Sequence, residues 1–325
     1  MSLHTLAPLR VGIIGAGRVG AVLGAALSES GHRVVAATAV STASRDRAAR
    51  LLPGAALLPA DEVIARVDLI LLAVPDDTLT DLVSGLAESG NFAHGQIVVH
   101  TSGAHGLAVL QPAIDRGVLP LALHPVMTFA GRPEDVHRLS GVPFGVTAND
   151  EHRAVAETLV LELGGEPVWV EESARTLYHA ALVVGSNHLV TLVAEARDLL
   201  RTAGVEDPAR LLGPLLGAAL DNSLRYGDKA LTGPVSRGDV GTVRRHLRTL
   251  VEQAPDSVAS YVALARRTAQ RALASGRLKR HEATPLLDLL AQRPVSTGSP
   301  SHPVTTGSAG RPAVPGPADS SAIGS

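Results

Sequence analysis

The chain has 325 residues and a formal net charge of −2, with acidic and basic residues mixed along it, so no nucleic-acid partner is expected. It contains no cysteine, which excludes disulfides and thiolate chemistry. Because 45% of the residues are apolar but only 2% aromatic, the core must be built from small aliphatic side chains. We find no signal peptide and no stretch with the roughly 18–20 apolar residues that span a bilayer. Length and composition therefore predict a two-domain protein of the cytoplasm without membrane contact.

Short β-branched segments alternate with helical or turn segments over the first 150 residues. These predicted strands lie at 10–14, 33–40, 69–74, 96–100, 118–123 and 142–147, and a helix near 151–163 and a strand at 167–170 follow. Several segments are apolar without alternation, as in strands that are buried on both faces. The pattern predicts an α/β domain with a mainly parallel sheet over residues 1–170.

The second half of the chain has the spacing of helices. Apolar residues recur at helical intervals from 173 to 203, and further helices are predicted near 208–226, 240–253, 257–275 and 279–291. Asp239 and Asp256 suit N-caps, whereas Gly204 and Gly276 suit helix ends. Residues 171–293 are therefore predicted to form an all-α domain. Residues 294–325 are rich in Pro, Gly, Ser and Thr and are predicted to be disordered.

A glycine-rich turn follows the first predicted strand and begins the first predicted helix. Its sequence is Gly15-Ala16-Gly17-Arg18-Val19-Gly20. In a dinucleotide site the first glycine permits the tight turn, the second lets the backbone approach a pyrophosphate, and the third allows helix and strand to pack closely. The helix N-terminus then holds the anion. We predict a dinucleotide site here, and a purely structural glycine turn is the alternative.

The segment after the second strand predicts NADP rather than NAD. NAD sites usually carry an acidic residue there for the ribose 2′-hydroxyl, but this chain has no acid between Glu29 and Asp46. It offers Ser41, Ser44 and Arg45 instead, which suit a 2′-phosphate. The alternative is that Arg45 is a solvated residue of the next helix.

Two more strand ends supply candidate site residues, because open α/β sheets bind ligands at the carboxyl ends of their strands. Val74 ends one apolar strand and Pro75 follows it, and both are predicted to contact the cofactor, while the two aspartates at 76 and 77 suit helix N-caps. Ser102 and Gly103 follow the strand at 96–100. They are predicted to face the nicotinamide or the substrate, or else to form an ordinary turn.

Six ordered segments carry a family resemblance. They are the glycine turn, LLAVPDD (71–77), HTSGA (100–104), LHPVMTF (123–129), YHAALVVGSNHL (178–189) and LTGPVSRGD (231–239). Together they resemble the Rossmann-like oxidoreductases that have a helical C-terminal domain of unknown function, within the 6-phosphogluconate dehydrogenase-like superfamily. Relatives include ketopantoate reductase, pyrroline-5-carboxylate reductase and prephenate dehydrogenase. The resemblance covers about residues 10–290. It implies a nicotinamide at the sheet edge, a substrate between the domains, and a helical domain that builds a homodimer.

The chain departs from these relatives at two places. Many members carry Ser-Arg-Ser after the second strand, whereas residues 39–41 are Ala-Val-Ser here, so Arg45 is the candidate for the cofactor arginine. Ketopantoate reductase and the hydroxyacid dehydrogenases use a lysine on the first long helix of the second domain. The only two lysines here are Lys229 and Lys279, so that catalytic residue is not carried over.

Histidine is the natural remaining proton donor, because cysteine is absent and lysine is rare. His124 ends an apolar strand in a His-Pro pair, as in prephenate dehydrogenases, or else it is bonded to backbone at a turn. His179 shares a helix face with Ser186, and Asn187 is one step around, so these residues line a cleft or bond a neighbouring helix. No HExxH or similar spacing supports zinc, and no metal is expected.

LTGPVSRGD interrupts the helical half with a cation and an anion close together. Arg237 suits a bidentate clamp on a substrate carboxylate, and Asp239 suits the N-cap of the next helix. The alternative is an exposed arginine beside a helix cap.

These patterns and the resemblance together predict an NADP-dependent reductase of a small carboxylate-bearing keto or imino compound, by family layout a ketopantoate-like 2-keto acid. His124 or His179 is the predicted proton donor, Ser102, Gly103 and Asn187 the substrate contacts, and Arg237 the clamp. A pyrroline-5-carboxylate-type reductase, a deazaflavin-dependent reductase, or an NADP-binding sensor without turnover are the alternatives.

Overall fold

The computed structural model describes residues 6–292, and the chain divides into two compact units between Thr191 and Leu192. The domain boundary expected at 170/171 stays a prediction. The segment 294–325, predicted to be disordered, lies outside the described residues.

The first unit is built on one eight-stranded sheet in the order β3-β2-β1-β4-β5-β6-β7-β8. The strands are β1 (Arg10–Ile14), β2 (Arg33–Ala37), β3 (Ala56–Leu57), β4 (Leu69–Leu72), β5 (Ile97–His100), β6 (Leu119–Pro125), β7 (Pro143–Thr147) and β8 (Glu166–Trp169). Only β6 and β7 pair antiparallel among the described strands. The predicted α/β class with a mainly parallel sheet is thus confirmed. The order of the first six strands is that of doubly wound dinucleotide-binding folds, with the topological switch point between β1 and β4.

Helices cover both faces of this sheet. They are α1 (Arg18–Glu29), α2 (Thr42–Leu51), α3 (Ala60–Ile64), α4 (Asp76–Glu88), α5 (Gln111–Ile114), α6 (Glu134–His137) and α7 (Arg153–Glu162). A further helix, α8 (Arg175–Gly185), follows β8. Successive residues of one strand enter opposite apolar clusters: Leu69 and Leu71 of β4 pack on one side, Ile70 and Leu72 on the other. Burial on both faces explains why these strands are continuously apolar.

The single helix expected over 173–203 is two helices, α8 and α9 (Asn187–Thr202). Ser186 lies between them with φ −118° and ψ −70°. Gly185 precedes it, and Gly/Ser pairs are common sites of helix kinks. The expectation that no segment is long and apolar enough to cross a membrane also needs correction. Glu172–Thr202 meets that criterion by length and composition alone, with a mean hydropathy of 1.4.

The second unit is helical, as predicted. After the end of α9 it contains α10 (Pro208–Tyr226), α11 (Gly233–Ser236), α12 (Val240–Gln253), α13 (Val258–Ala274) and α14 (Arg280–Ala291). Asp239 caps α12 as expected, since its carboxylate accepts from the Thr242 N–H at 2.9 Å. Asp256 does not cap α13, because it lies in a short 3-10 turn and Ser257 is the residue that precedes the helix.

The core of the second unit lies among α12, α13 and α14, around Val243, Ala269 and Leu286, which are fully buried. α10 contributes little to it. Of its nineteen residues only Pro208 and Leu212 are buried.

Candidate functional site

The glycine turn between β1 and α1 has the geometry expected of a phosphate-binding turn. Gly15 has φ +97°, and a Cβ there would lie 2.6 Å from the Ala73 carbonyl oxygen. A Cβ on Gly20 would overlap the Gly15 carbonyl oxygen and lie 2.9 Å from the Ala73 Cβ. Gly17 differs, since the nearest atom to its added Cβ is 4.0 Å away. Two of the glycines are therefore required by the protein itself, while the space over Gly17 is open to a ligand.

A cavity of about 590 Å³ opens beside this turn, at the carboxyl ends of β1, β2 and β4. Its lining is mostly apolar, with Val40 and Val74 among the contributors, and Arg45 is its one charged lining residue. Ser41 and Ser44 are at the start of α2, where the Ser41 hydroxyl accepts from the Ser44 N–H at 3.1 Å. The cavity has the size and apolar character of a pocket for a flat heterocycle.

Pro75 immediately precedes α4, so the aspartates at 76 and 77 lie in the first turn of that helix rather than at its N-cap. Their negative charges there interact favourably with the positive end of the helix dipole.

The turn after β5 is held by His100, which is fully buried. Its Nδ1 accepts from the Ser102 N–H at 3.2 Å, and its Nε2 is 2.8 Å from the Gly106 carbonyl oxygen. These two bonds require a neutral ring with the proton on Nε2. Burial lowers the pKa of His100 to about 4, which agrees with a neutral ring. The Ser102 hydroxyl oxygen accepts hydrogen bonds from the N–H groups of Ala104 and His105, and these bonds stabilise the turn. The hydroxyl proton is left to donate to another partner.

Four of the predicted site residues are adjacent beside this turn. The His124 and His179 rings meet edge to face with centroids 6.1 Å apart. A Cβ on Gly103 would lie 2.8 Å from His179 Cδ2 and 3.0 Å from His124 Nε2, so only glycine lets this turn approach both rings. Ser102 precedes it and is buried. The sheet edge therefore gathers two imidazoles and a hydroxyl in one place.

A cavity of about 490 Å³ borders both histidines and extends along the residues that follow β6 to the α8–α9 kink. Met127, Ser186 and Asn187 are among its lining residues. The kink therefore directs polar side chains into the same cavity as the histidines, and its volume suits a small organic molecule.

Tyr178 and Arg175, which were not predicted as site residues, complete the cluster. The Tyr178 hydroxyl is 2.9 Å from His124 Nδ1, and burial raises the pKa of Tyr178. Arg175 is the largest fully buried side chain among the described residues. Burial, with the charge of Arg175 as the next cause, lowers the pKa of His124 to about 4. The only sequence signal for Arg175 was a cation at the start of a strongly apolar helix.

Arg237 is in the second unit, immediately after α11, and its side chain is exposed. It is free of ion pairs shorter than 4.0 Å within residues 6–292. Its assignment as a carboxylate clamp stays a prediction. In the described part of the chain, no group of three or more His, Asp and Glu side chains is arranged to hold a metal ion.

Two family models match the chain in sequence. Residues 3–125 match the Rossmann-like domain, and residues 142–268 match a domain of unknown function, DUF2520. No curated protein matches the chain.

Several solved structures are similar in fold. A Bacteroides fragilis protein provisionally named an NADP oxidoreductase is 23% identical, with a TM-score of 0.68 over 81% of this chain and 98% of that one. An imine reductase from Pseudomonas is 20% identical, with a TM-score of 0.61 over 87% and 100%. A reductive aminase from Aspergillus terreus, solved with NADPH and ethyl levulinate, is 19% identical, with a TM-score of 0.59 over 87% and 99%. At these identities the likeness establishes the fold alone.

Proposed function

We propose that this protein is an NADP-dependent oxidoreductase that reduces the C=O or C=N bond of a small carboxylate-bearing molecule. The observation that carries the proposal is the placement of two complementary parts at one sheet edge. The open Gly17 turn with its apolar cavity lies at the ends of β1, β2 and β4, and the histidine cluster lies at the ends of β5 and β6. The names of the similar structures, which include imine reductases and complexes with NADPH, support the same class of reaction.

The first site fits a dinucleotide. The start of α1 suits the pyrophosphate, because no side chain caps its N–H groups and the space over Gly17 is open. The apolar cavity suits the adenine, and Arg45 at its rim suits the 2′-phosphate of NADP. Arg45→Ala should then weaken NADPH binding by about tenfold or more and leave NADH binding unchanged, as expected for loss of a charge-assisted hydrogen bond.

The bound nicotinamide would supply the hydride, and the chain must supply the proton. Between the two candidate donors, His179 fits better than His124. A histidine with a pKa of about 4 is protonated in only about one molecule in a thousand at neutral pH, so His124 is a poor acid there. His179 borders the same cavity and is only partly buried. Ser102, Gly103 and Asn187 are assigned to orient the substrate and Arg237 to hold its carboxylate.

The test begins with NADPH binding by calorimetry. Gly17→Ala should fold normally and bind NADPH at least about tenfold more weakly, because the methyl group enters the pyrophosphate space. Gly85→Ala is a matched control, since Gly85 is an exposed residue of α4 with open space around its added Cβ. Equal NADPH affinity in wild type and Gly17→Ala would refute the cofactor assignment.

Turnover is then followed as NADPH oxidation with a panel of 2-keto acids, including ketopantoate, and cyclic imines, including pyrroline-5-carboxylate. His179→Gln should lower kcat by about a hundredfold or more as a lost general acid, while NADPH affinity is kept. Tight NADPH binding without turnover of any substrate would favour a sensor. Reduction of an added deazaflavin by NADPH would identify the protein as a deazaflavin-dependent reductase.

The long helices also support a homodimer. Leu211 and Leu215 of α10 are 53% and 64% exposed and, because they are four residues apart, they lie on one side of the helix. An apolar stripe of this kind marks an interaction surface, and we assign it to a second copy of the chain in the cytoplasm. Light scattering should give twice the chain mass for wild type and the single mass for the double variant Leu211→Glu/Leu215→Glu. A monomeric wild type, or flotation with lipid vesicles, would contradict this assignment.

A further inference from the structure

Arg175 is a buried cation at the first residue of α8, and only 1% of its surface is exposed. Its guanidinium reaches three segments of the sheet edge. Nε donates to Thr147 Oγ1 at 2.7 Å, and Nη2 donates to the Ala122 and Gly145 carbonyl oxygens at 2.9 and 3.1 Å. Nη1 is 3.4 Å from the Ser102 carbonyl oxygen. One side chain thus ties the start of α8 to β6, β7 and the turn after β5.

All four of these acceptors are neutral. The nearest acidic residue in sequence, Glu172, is occupied elsewhere, because its carboxylate accepts from the Leu107 and Ala108 N–H groups at 2.6 and 3.1 Å. No Asp or Glu oxygen within residues 6–292 forms an ion pair with Arg175. A guanidinium stays protonated at all ordinary pH values. Its charge is therefore fixed and uncompensated by a contacting anion.

This charge acts on the imidazole of His124 through a short path. The Arg175 guanidinium carbon is 5.8 Å from the centre of the Tyr178 ring, and the Tyr178 hydroxyl is 2.9 Å from His124 Nδ1. Two other charged or titratable groups act on His124. His179 of α8 lowers the pKa of His124, as Arg175 does, and Asp76 at the start of α4 raises it. In β7, the residue paired with His124 is Gly145, which has no side chain to add a charge.

A neutral His124 has a defined tautomer in this setting. Because a phenol is the better donor of the pair, the Tyr178 O–H donates to Nδ1, and the ring proton is on Nε2. Nε2 is on the side of the Gly103 turn, where a Cβ on Gly103 would lie 3.0 Å from it. The His124 ring also borders the cavity at the end of β6.

We propose that Arg175 is a positioning residue whose fixed charge adds to burial in keeping His124 neutral, so that His124 presents Nε2–H to the cavity as a hydrogen-bond donor and does not act as an acid. A donor of this kind polarises a carbonyl or imine acceptor without changing its own charge. The inference rests on the proposed function only in naming the acceptor, since the charge and tautomer of His124 are properties of the protein alone.

The test is a pH titration of the protein labelled with ¹⁵N-histidine, without cofactor or substrate, by NMR. His124→Gln assigns the His124 signals. In wild type, His124 should be neutral with its proton on Nε2 from about pH 8 to about pH 5.5. Arg175→Gln removes the charge but keeps a donor group, and the His124 midpoint should rise by about one pH unit. Arg175→Lys keeps the charge, and the midpoint should stay within a few tenths of the wild-type value. Arg197→Gln, an exposed arginine of α9, is the matched control and should leave the titration unchanged.

Three results would overturn the proposal: a protonated His124 at neutral pH in wild type, a proton on Nδ1 instead of Nε2, or an unchanged midpoint in folded Arg175→Gln. If Arg175→Gln does not fold, the wild-type tautomer and the Arg175→Lys titration decide instead. None of these measurements requires turnover. A protein that oxidises no NADPH but shows the neutral Nε2–H tautomer would refute the proposed function and leave this inference standing.

Discussion

Acidification should destabilise the first unit, because the fold holds two of its histidines neutral. Burial lowers the pKa of His100 and of His124 from 6.5 to about 4. The unfolded chain therefore takes up a proton at a higher pH than the folded one. The stability due to each neutral ring is complete above pH 6.5 and decreases as the pH falls towards about 4. The loss is about 1.4 kcal/mol per pH unit and per histidine, or roughly 3 kcal/mol for each over the whole range.

The assay is urea unfolding between about pH 7.5 and about pH 4.5, followed by the fluorescence of Trp169, the single tryptophan. The free energy of unfolding of wild type should fall by about 2.7 kcal/mol per pH unit in the middle of this range. His100→Gln keeps a donor for the Gly106 carbonyl oxygen but cannot be protonated, so its slope should be about half as steep. At neutral pH the variant should be less stable by about 1 kcal/mol, because the Ser102 N–H loses its acceptor.

His188→Gln, which changes only an exposed side chain of α9, is the matched control and should keep the wild-type slope. Carboxylates with a lowered pKa, such as Asp68 and Asp135, lose their contribution only as the pH falls below 3.8, outside the measured range. A wild-type stability that is flat between about pH 6.5 and about pH 4.5 would show that these rings are not held neutral. A full slope in His100→Gln would show that His100 is not one of the titrating groups.

Three substitutions test the surroundings of the site. Gly20→Ala should lower the free energy of unfolding by about 2 kcal/mol or more, because its Cβ overlaps the Gly15 carbonyl oxygen. Chemical unfolding measures this, and an unchanged free energy of unfolding would contradict the prediction. Asp135 is buried and accepts from the Ala130 and Gly131 N–H groups at 2.7 and 2.8 Å, so Asp135→Ala should cost about 2–3 kcal/mol in the same assay, whereas an effect below about 0.5 kcal/mol would contradict it. Gly103→Ala should displace both imidazoles in NMR spectra and reduce NADPH oxidation by about tenfold or more with cofactor affinity kept; unmoved imidazole signals would argue against the packing.

The elements of the fold could be predicted from sequence wherever one local pattern decides the structure. β4 was expected at 69–74 and is Leu69–Leu72, because its apolar run is buried on both faces. α10 was expected at 208–226 and is Pro208–Tyr226, since a proline and a glycine bound its helical pattern. The reversed direction of β7 relative to β6 was not predicted. Strand direction depends on how the chain crosses the sheet, and the residues of the strand itself do not encode that.

The glycine turn and the surroundings of Arg175 differ in how far their structure can be predicted from nearby residues. The glycine turn is mostly a local structure, because Gly20 packs on the Gly15 carbonyl oxygen and Gly17 is open, and only the end of the neighbouring strand at Ala73 comes from elsewhere in the chain. Its residue types are therefore enough to identify it. The environment of Arg175 is non-local, because its acceptors come from residues 102, 122, 145 and 147. A sequence pattern records that an arginine begins an apolar helix, but not that four neutral oxygens surround it.

The choice between His124 and His179 follows from this non-local environment. Both are imidazoles at the border of one cavity, and sequence gave equal reason to assign either as the acid. Burial and the fixed charge of Arg175 separate them, because together they disfavour a second positive charge on His124. A site that needs one hydrogen-bond donor and one proton donor can use the same residue type for both, provided that one of the two is buried beside a fixed positive charge. Arg175 supplies that charge, and its neutral acceptors leave the charge available to act on His124.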